Sequence, residues 1–154
     1  LTYIVMNTKV NEIQISYREF PAVIQSNKIT CSNDAYRILK ESWDQNTIGL
    51  QESFRVLLLN NASQVKGIFE LSRGGITGTL VDIRILLAVA LKSLSTGIIL
   101  AHNHPSGKVI PSKADRQITR KIQKAAKYLD IRVLDHVILS PGEAYFSFAD
   151  ENLI

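Results

Sequence analysis

Apolar and polar positions follow two different periods along the chain, and the period distinguishes predicted strands from predicted helices. Residues 1–30 alternate weakly, which predicts a strand followed by a loose connection. A helix is predicted over residues 32–43, with Ser32 or Asn33 as its N-cap. Two compact apolar runs within residues 54–71 flank an Asn-Asn turn, so we expect a hairpin there.

Strands and helices alternate through the second half of the chain. The pattern predicts a helix over residues 82–94, a fully apolar strand over 97–101, a long helix over 112–130 and strands over 132–140 and 144–148. This order predicts an α/β fold with a sandwich around a mixed sheet.

The long helix is amphipathic, with one apolar and one basic face. Rotation by about 100° per residue groups the apolar side chains of Ile118, Ile122, Ala125, Ala126 and Leu129. The opposite side carries a basic stripe: Lys113, Arg116, Arg120, Lys124 and Lys127. Such a stripe is most often a solvated helix face, and a contact with DNA is the alternative interpretation.

Composition narrows the class of protein. The chain has 154 residues, a formal net charge of +4 and 45% hydrophobic residues, which is typical of one globular domain. Its longest apolar run, residues 85–91, is far shorter than the roughly 20 residues of a membrane helix. We expect no secretory leader, and the single cysteine, Cys31, is predicted to be a small buried side chain. We therefore expect a cytoplasmic protein with no membrane partner.

The candidate chemistry lies where the strand over 97–101 enters a loop. His102 and His104 are two residues apart, so on an extended backbone both imidazoles point to the same side. Asp115 follows in the first turn of the long helix, which the loop can bring back beside the strand end. Two imidazole nitrogens and one carboxylate suit zinc with an open fourth position. Ser112-x-x-Asp115 is, alternatively, an ordinary helix capping signature.

The same residues form a longer motif. The pattern His102-Asn103-His104, seven residues, Ser112, two residues and Asp115 resembles the JAMM metal motif of MPN-type metallopeptidases. The segment His-Asn-His-Pro-Ser-Gly and the later segment Leu-Asp-His resemble the corresponding segments of the bacterial RadC-type branch of this family. The resemblance covers about residues 51–154. It implies a three-layer α/β/α sandwich of the cytidine-deaminase-like kind.

The resemblance also implies roles for individual residues. It makes His102, His104 and Asp115 the ligands of one Zn²⁺ per chain, and Ser112 a residue that stabilises the tetrahedral intermediate. It further implies an upstream glutamate as general acid/base, for which Glu52 is the candidate and Glu70 the rival. For the later Asp-His pair, we expect His136 simply to pack and Asp135 to be the weaker candidate for orienting a ligand.

Two departures from the wider family limit the resemblance. Asn103 stands where the deubiquitinating members carry Ser or Thr, which argues against ubiquitin-type substrates. RadC-type proteins also usually carry a helix-hairpin-helix region before this domain, and residues 1–50 are too short and too poor in Gly-centred turns to supply it. We therefore predict an N-terminal extension over residues 1–50, packed on the core, and a RadC-type MPN/JAMM domain over 51–154.

Two functions follow from these patterns. The first is a zinc-dependent hydrolase that cleaves a peptide or isopeptide bond in a peptide or protein substrate. The second, implied by the DNA-repair label of the RadC-type proteins that the chain resembles, is a DNA-associated repair or recombination accessory module. It would have a metal site but no peptidase role, and it would contact DNA through the basic stripe. A zinc deaminase is disfavoured because the Pro-Cys-x-x-Cys segment is absent, and the letters His-Asn-His alone do not make an HNH nuclease.

Overall fold

The computed structural model describes residues 27–154, in which three helices and five strands follow one another. In chain order they are α1 (Ser32–Ser42), β1 (Ser53–Leu59), β2 (Val65–Arg73), α2 (Ile83–Lys92), β3 (Gly97–Asn103), α3 (Lys113–Lys127), β4 (Arg132–Leu139) and β5 (Tyr145–Ser147).

The five strands form one mixed sheet in the order β2-β1-β3-β4-β5. β1 pairs antiparallel with both β2 and β3, whereas β3 and β4 run parallel and are connected through α3. β3 is therefore the central strand, and all seven of its residues are buried. Because a parallel pair requires a crossover, the helix that follows β3 must return along the face of the sheet. That return brings the loop before α3 to the carboxyl end of β3.

Helices cover both faces of the sheet. On one face, α1 packs Ala35, Tyr36 and Leu39 against buried residues of β1, β3 and β4. On the other, α2 and α3 pack a second cluster against the opposite side chains of β1 and β3, including Leu86, Ala90, Ile122 and Ala126. A fully buried Leu or Ile contributes roughly 1.5–3 kcal/mol, so these two cores hold the layers together. The three-layer α/β/α sandwich around a mixed sheet is confirmed.

The predicted elements agree with the structure, and the differences lie at their ends. α1 begins after Cys31, which is its N-cap in place of Ser32 or Asn33, and Cys31 is exposed, not buried. β3 extends two residues past the predicted end, through Asn103. Leu129 is 40% exposed because α3 ends at Lys127, before the apolar face can continue.

Further predictions concern the N-terminal residues, the domain division and membrane-spanning helices. The strand predicted within residues 1–30 falls almost entirely outside the described residues, and the division at residue 50 stays a prediction. Of the helices within residues 27–154, none is both long enough and apolar enough to cross a membrane.

Asn103, between the two histidines, joins β3 to the segment that precedes β1. Its side chain is fully buried, and its amide donates to the carbonyl oxygens of Ile48, at 2.7 Å, and Gln51, at 2.9 Å. Its amide oxygen accepts the backbone N–H of Ser53 at 2.8 Å. Because Gln51 and Ser53 flank Glu52, the Asn103 side chain fixes the backbone of Glu52 relative to the end of β3.

Replacing Asn103 with Leu, which has a similar volume, is expected to lower the free energy of unfolding by about 2–6 kcal/mol. The change leaves buried backbone groups of Ile48 and Ser53 without a partner, at about 1–3 kcal/mol for each, and it also removes the hydrogen bond to the half-buried Gln51 carbonyl. Chemical denaturation measures the difference. The matched control is Asn46→Leu, since Asn46 is exposed and its replacement should stay within about 0.5 kcal/mol. Equal stabilities of the two variants would contradict the assignment.

Candidate metal centre

The carboxyl end of β3 places two imidazoles on one face of the sheet. His102 lies in the strand opposite Phe54 of β1, whose ring stacks on its imidazole with centroids 6.0 Å apart. His104 follows just beyond the strand, and its backbone N–H donates to the carbonyl of Leu139 in β4. The period of two therefore turns His102 and His104 to one side and Asn103 to the other, as the spacing predicts.

The loop between β3 and α3 returns Asp115 to the same place. The loop turns sharply at Gly107, whose φ of 82° lies in the left-handed region that favours glycine. Ser112 then caps α3: its Oγ accepts the backbone N–H of Asp115, and Asp115 Oδ2 accepts the N–H of Ser112 at 2.6 Å. The Ser-x-x-Asp pattern is thus a capping box, and the cap itself orients the Asp115 carboxylate. The two interpretations of this pattern are compatible.

Three potential ligands meet at one point. Nε2 of His102 lies 2.9 Å from Nε2 of His104 and 3.3 Å from Oδ1 of Asp115, and Nε2 of His104 lies 3.6 Å from Oδ2 of Asp115. Tetrahedral coordination with bonds of about 2.0–2.2 Å requires ligand atoms about 3.3–3.6 Å apart. Both distances to Asp115 match this range, the distance between the two imidazole nitrogens is shorter, and the donor types suit an ion such as zinc. The structure thus brings together all three predicted ligands as a candidate metal site.

The electrostatics of the site favour a cation between the ligands. Burial alone would raise the pKa of Asp115, but a proton on either neighbouring imidazole and the hydrogen bond from Ser112 hold this pKa far below its usual value. The Asp115 carboxylate in turn raises the pKa of His104 against the opposing effect of burial. The aspartate is therefore ionised and concentrates negative potential at the point where the two imidazoles converge.

Hydrogen bonds on the far side of each imidazole orient the rings. Nδ1 of His104 lies 2.6 Å from the carbonyl oxygen of Lys108, which only accepts, so Nδ1 carries the proton and Nε2 its lone pair. Nδ1 of His102 lies 2.8 Å from Nε2 of His136. Complete burial lowers the pKa of His136 well below its ordinary value, so His136 is neutral. Such contacts fix the orientation and tautomer of metal-ligating histidines.

The expected roles of His136 and Asp135 are wrong. His136, expected only to pack, contacts a ligand, and its ring also stacks on Phe148 at 4.8 Å. Asp135 instead accepts the Ser147 hydroxyl, at 2.7 Å, and the backbone N–H groups of Ala149 and His136. Burial raises the pKa of Asp135, and these hydrogen bonds oppose that rise. The physical reason is the alternation of β4, which points neighbouring side chains to opposite faces.

A groove of about 770 Å³ opens beside the ligands. Glu52 and Ser112 line it together with His102, His104 and Asp115, while His102 is only 1% exposed and the other two ligands 14–17%. Burial raises the pKa of Glu52, and the neighbouring histidines oppose the rise. The ligands thus form one wall of a cavity that also contains a carboxyl group and a hydroxyl group.

The loop between β2 and α2 forms the opposite rim of the groove. It contributes Ile76 and Leu80, which are 74% and 90% exposed. The loop folds back on itself at Gly74, where a Cβ would overlap the carbonyl oxygen of Gly78, so only glycine fits that backbone. Gly74 therefore serves this turn, and Ile76 and Leu80 give the rim exposed apolar side chains.

Glu70 and the basic stripe lie outside the groove. Glu70 forms ion pairs with Arg55 and Arg73, at 2.8 Å each, and Arg55 also stacks over the ring of Trp43. The structure therefore gives the rival glutamate a place in a surface ion pair, apart from the ligands. The stripe on α3 is exposed apart from Arg116, which is half-buried, and none of its five residues forms an ion pair within residues 27–154.

Sequence patterns alone missed one residue near the centre. Thr119 is 1% exposed, and its hydroxyl lies 2.6 Å both from Nδ1 of His136 and from the backbone carbonyl oxygen of Asp115. The available signal was the spacing of four residues from Asp115, which places Thr119 one helical turn away on the same face. Nothing in the sequence, however, fixes the register that brings β4 beside β3.

Comparison with known proteins agrees with this geometry. A family model described as "RadC-like JAB domain" matches residues 29–153. A UPF0758 protein of Flavobacterium johnsoniae is 45% identical over 133 residues, 85% of this chain and 56% of that protein. One from Porphyromonas gingivalis is 49% identical over 104 residues, 68% of this chain and 46% of that protein.

A third relative is shorter than these two. The UPF0758 protein YeeS of Escherichia coli is 46% identical over 110 residues, which is 71% of this chain and 74% of YeeS. The chain thus spans about half the length of the first two relatives and three quarters of the third. Since the family match covers nearly all of the described residues and both histidines with Asp115, the chain belongs to the RadC-like JAB domain family.

Proposed function

We propose that this domain is a zinc-dependent hydrolase that cleaves a peptide or isopeptide bond in a peptide or protein substrate. The observation that carries the proposal is the convergence of His102, His104 and Asp115 beside an open groove that also holds Glu52. Three protein ligands with a side open to the cavity is the arrangement of catalytic zinc, whereas structural sites are closed by a fourth ligand.

The metal ion and the protein side chains contribute different parts of the proposed hydrolysis. When bound, zinc lowers the pKa of a coordinated water toward about 7 and polarises a carbonyl group. Glu52, on the wall of the same groove, accepts the proton of the attacking water and delivers it to the leaving amine. Burial raises the pKa of the Glu52 carboxyl. A carboxylate with a raised pKa is a stronger base, so Glu52 is better suited to accept a proton and then to return it.

Ser112 is suited to stabilise the negative charge that develops on the substrate carbonyl oxygen. Its Oγ accepts the N–H of Asp115, which leaves the hydroxyl hydrogen free to donate to a group bound in the groove, since the described residues offer it no acceptor. A hydrogen-bond donor in this role contributes about 2.7–4 kcal/mol to transition-state stabilisation. The capping geometry holds the hydroxyl in place before substrate binds.

The second candidate function is a DNA-associated accessory module. The observation in its favour is the basic stripe of Lys113, Arg116, Arg120, Lys124 and Lys127, which lacks acidic partners within the described residues and starts at the rim of the groove. Unpaired lysines and arginines along one helix are suited to neutralise successive backbone phosphates.

The first prediction concerns metal content. His104→Ala or Asp115→Asn should reduce zinc from about one ion per chain to near zero, because each removes one of three ligands. Elemental analysis of protein purified without added metal gives the stoichiometry, and circular dichroism reports whether the fold is retained. The control is Asp130→Asn, the same chemical change at an exposed position beyond α3. Retention of one tightly held zinc by both ligand variants would refute the assignment.

The second prediction concerns the general base. Glu52→Gln should keep zinc but lower chelator-sensitive cleavage of a peptide library by about 10²–10⁴-fold, because the amide cannot accept the proton of water. Glu70→Gln, at the rival position, should retain cleavage, since Glu70 pairs with Arg55 and Arg73 away from the groove. A loss confined to Glu70→Gln, or a zinc-loaded wild type without any cleavage, contradicts the proposal.

The third prediction concerns DNA. If the basic stripe contacts phosphates, replacing Arg116, Arg120 and Lys124 with Ala should weaken binding to duplex DNA. The slope of log affinity against log salt should fall by about 0.9 for each phosphate that the variant no longer neutralises. Fluorescence anisotropy at several salt concentrations measures both quantities. The control replaces Lys28, Arg37 and Arg132 with Ala, which removes the same charge from other exposed positions. Equal weakening by both triple variants would show that net charge alone is responsible.

A further inference from the structure

A chain of buried hydrogen bonds runs from one candidate ligand to another behind the metal site. It begins at Nδ1 of His102, which lies 2.8 Å from Nε2 of His136. It continues from Nδ1 of His136 to the Thr119 hydroxyl, at 2.6 Å, and ends at the backbone carbonyl oxygen of Asp115, also 2.6 Å from that hydroxyl. His102, His136 and Thr119 are each at most 1% exposed, so water does not compete for these bonds.

The backbone carbonyl of Asp115, the last group in this series of hydrogen bonds, determines the position of every hydrogen in the series. A carbonyl oxygen only accepts, so the single hydroxyl hydrogen of Thr119 must donate to Asp115. Thr119 then has only lone pairs for His136, so Nδ1 of His136 carries a hydrogen and donates it. In a neutral imidazole the other nitrogen is an acceptor. Nε2 of His136 therefore accepts from Nδ1–H of His102.

We infer that Thr119 and His136 are positioning residues that fix the tautomer of His102 and so turn a lone pair on its Nε2 toward the metal position. This inference rests on the metal site of the proposed function, since it states how the chain prepares one ligand for an ion. His104 is prepared separately, through the carbonyl of Lys108. The two Nε2 lone pairs, 2.9 Å apart, then face each other beside the ionised Asp115, an arrangement that positive charge relieves, whether from a metal ion or from a proton.

The consequence of removing the Thr119 hydroxyl is specific. Thr119→Val preserves the shape of the side chain but leaves Nδ1–H of His136 without an acceptor in a buried place. The opposite tautomer of His136 avoids this cost, and its Nε2–H then donates to Nδ1 of His102. His102 must in turn carry its hydrogen on Nε2, where it occupies the lone pair that would bind the ion.

The experiment measures zinc affinity of the full chain by competition with a chromogenic chelator. Thr119→Val is expected to lower the affinity by about 10–100-fold, the range found for groups that orient metal ligands. Thr119→Ser, which keeps the hydroxyl and removes a methyl group, is expected to stay within about threefold of the wild type. Equal affinities for the Val variant and the wild type, with both folded, would overturn the inference while the proposed function stands.

A spectroscopic measurement decides the inference even if the Val variant fails to fold. Two-dimensional ¹H–¹⁵N spectra of the metal-free wild type distinguish the two tautomers of each imidazole. His102, His104 and His136 are all expected to carry their hydrogen on Nδ1, and an Nε2–H tautomer at His102 or His136 would overturn the inference. A wild type that shows these tautomers but holds no zinc contradicts the proposed function alone.

Discussion

The convergence of one ionised carboxylate and two imidazole lone pairs is the interaction on which the rest of the site depends. Groups of this kind repel each other in the absence of positive charge, and His102 lies where almost no water can screen them. The packing of the sheet and of α3 therefore holds, within 3.6 Å, three groups that require positive charge between them. Their repulsion is relieved when an ion occupies the point they share, which couples metal binding to stability.

The topology of the sheet explains why the three groups meet. β3 is the central strand, bounded by β1 on one side and by the parallel strand β4 on the other. The crossover that a parallel pair requires brings the first turn of α3 to the carboxyl end of β3, and Asp115 lies in that turn. Crevices at the carboxyl ends of strands in open α/β sheets are common places for ligands. Ile76 and Leu80, from the loop between β2 and α2, line this crevice together with the ligands.

Sequence patterns predicted the ligands because each lies in a short-range signal. His102 and His104 share the period of a strand, and Asp115 shares a capping box with Ser112. The supporting residues could not be found in this way. His136 reaches His102 only through the pairing of β4 with β3, and Thr119 meets His136 only after α3 packs on the sheet. The exposure of Cys31 and Leu129 could not be predicted from the sequence either, since it depends on where α1 begins and where α3 ends.

The alternation of side chains at the end of β3 has a consequence for how the site arises during folding. Asn103 bonds to the α1 side of the sheet while the residues on either side of it face α3. A slip of one position against β1 or β4 would exchange these faces, bury an amide among the ligands and send both imidazoles to the wrong layer. A chain with this register error therefore cannot form an incomplete metal site. Metal binding thus indicates that β3 has paired with its native neighbouring strands.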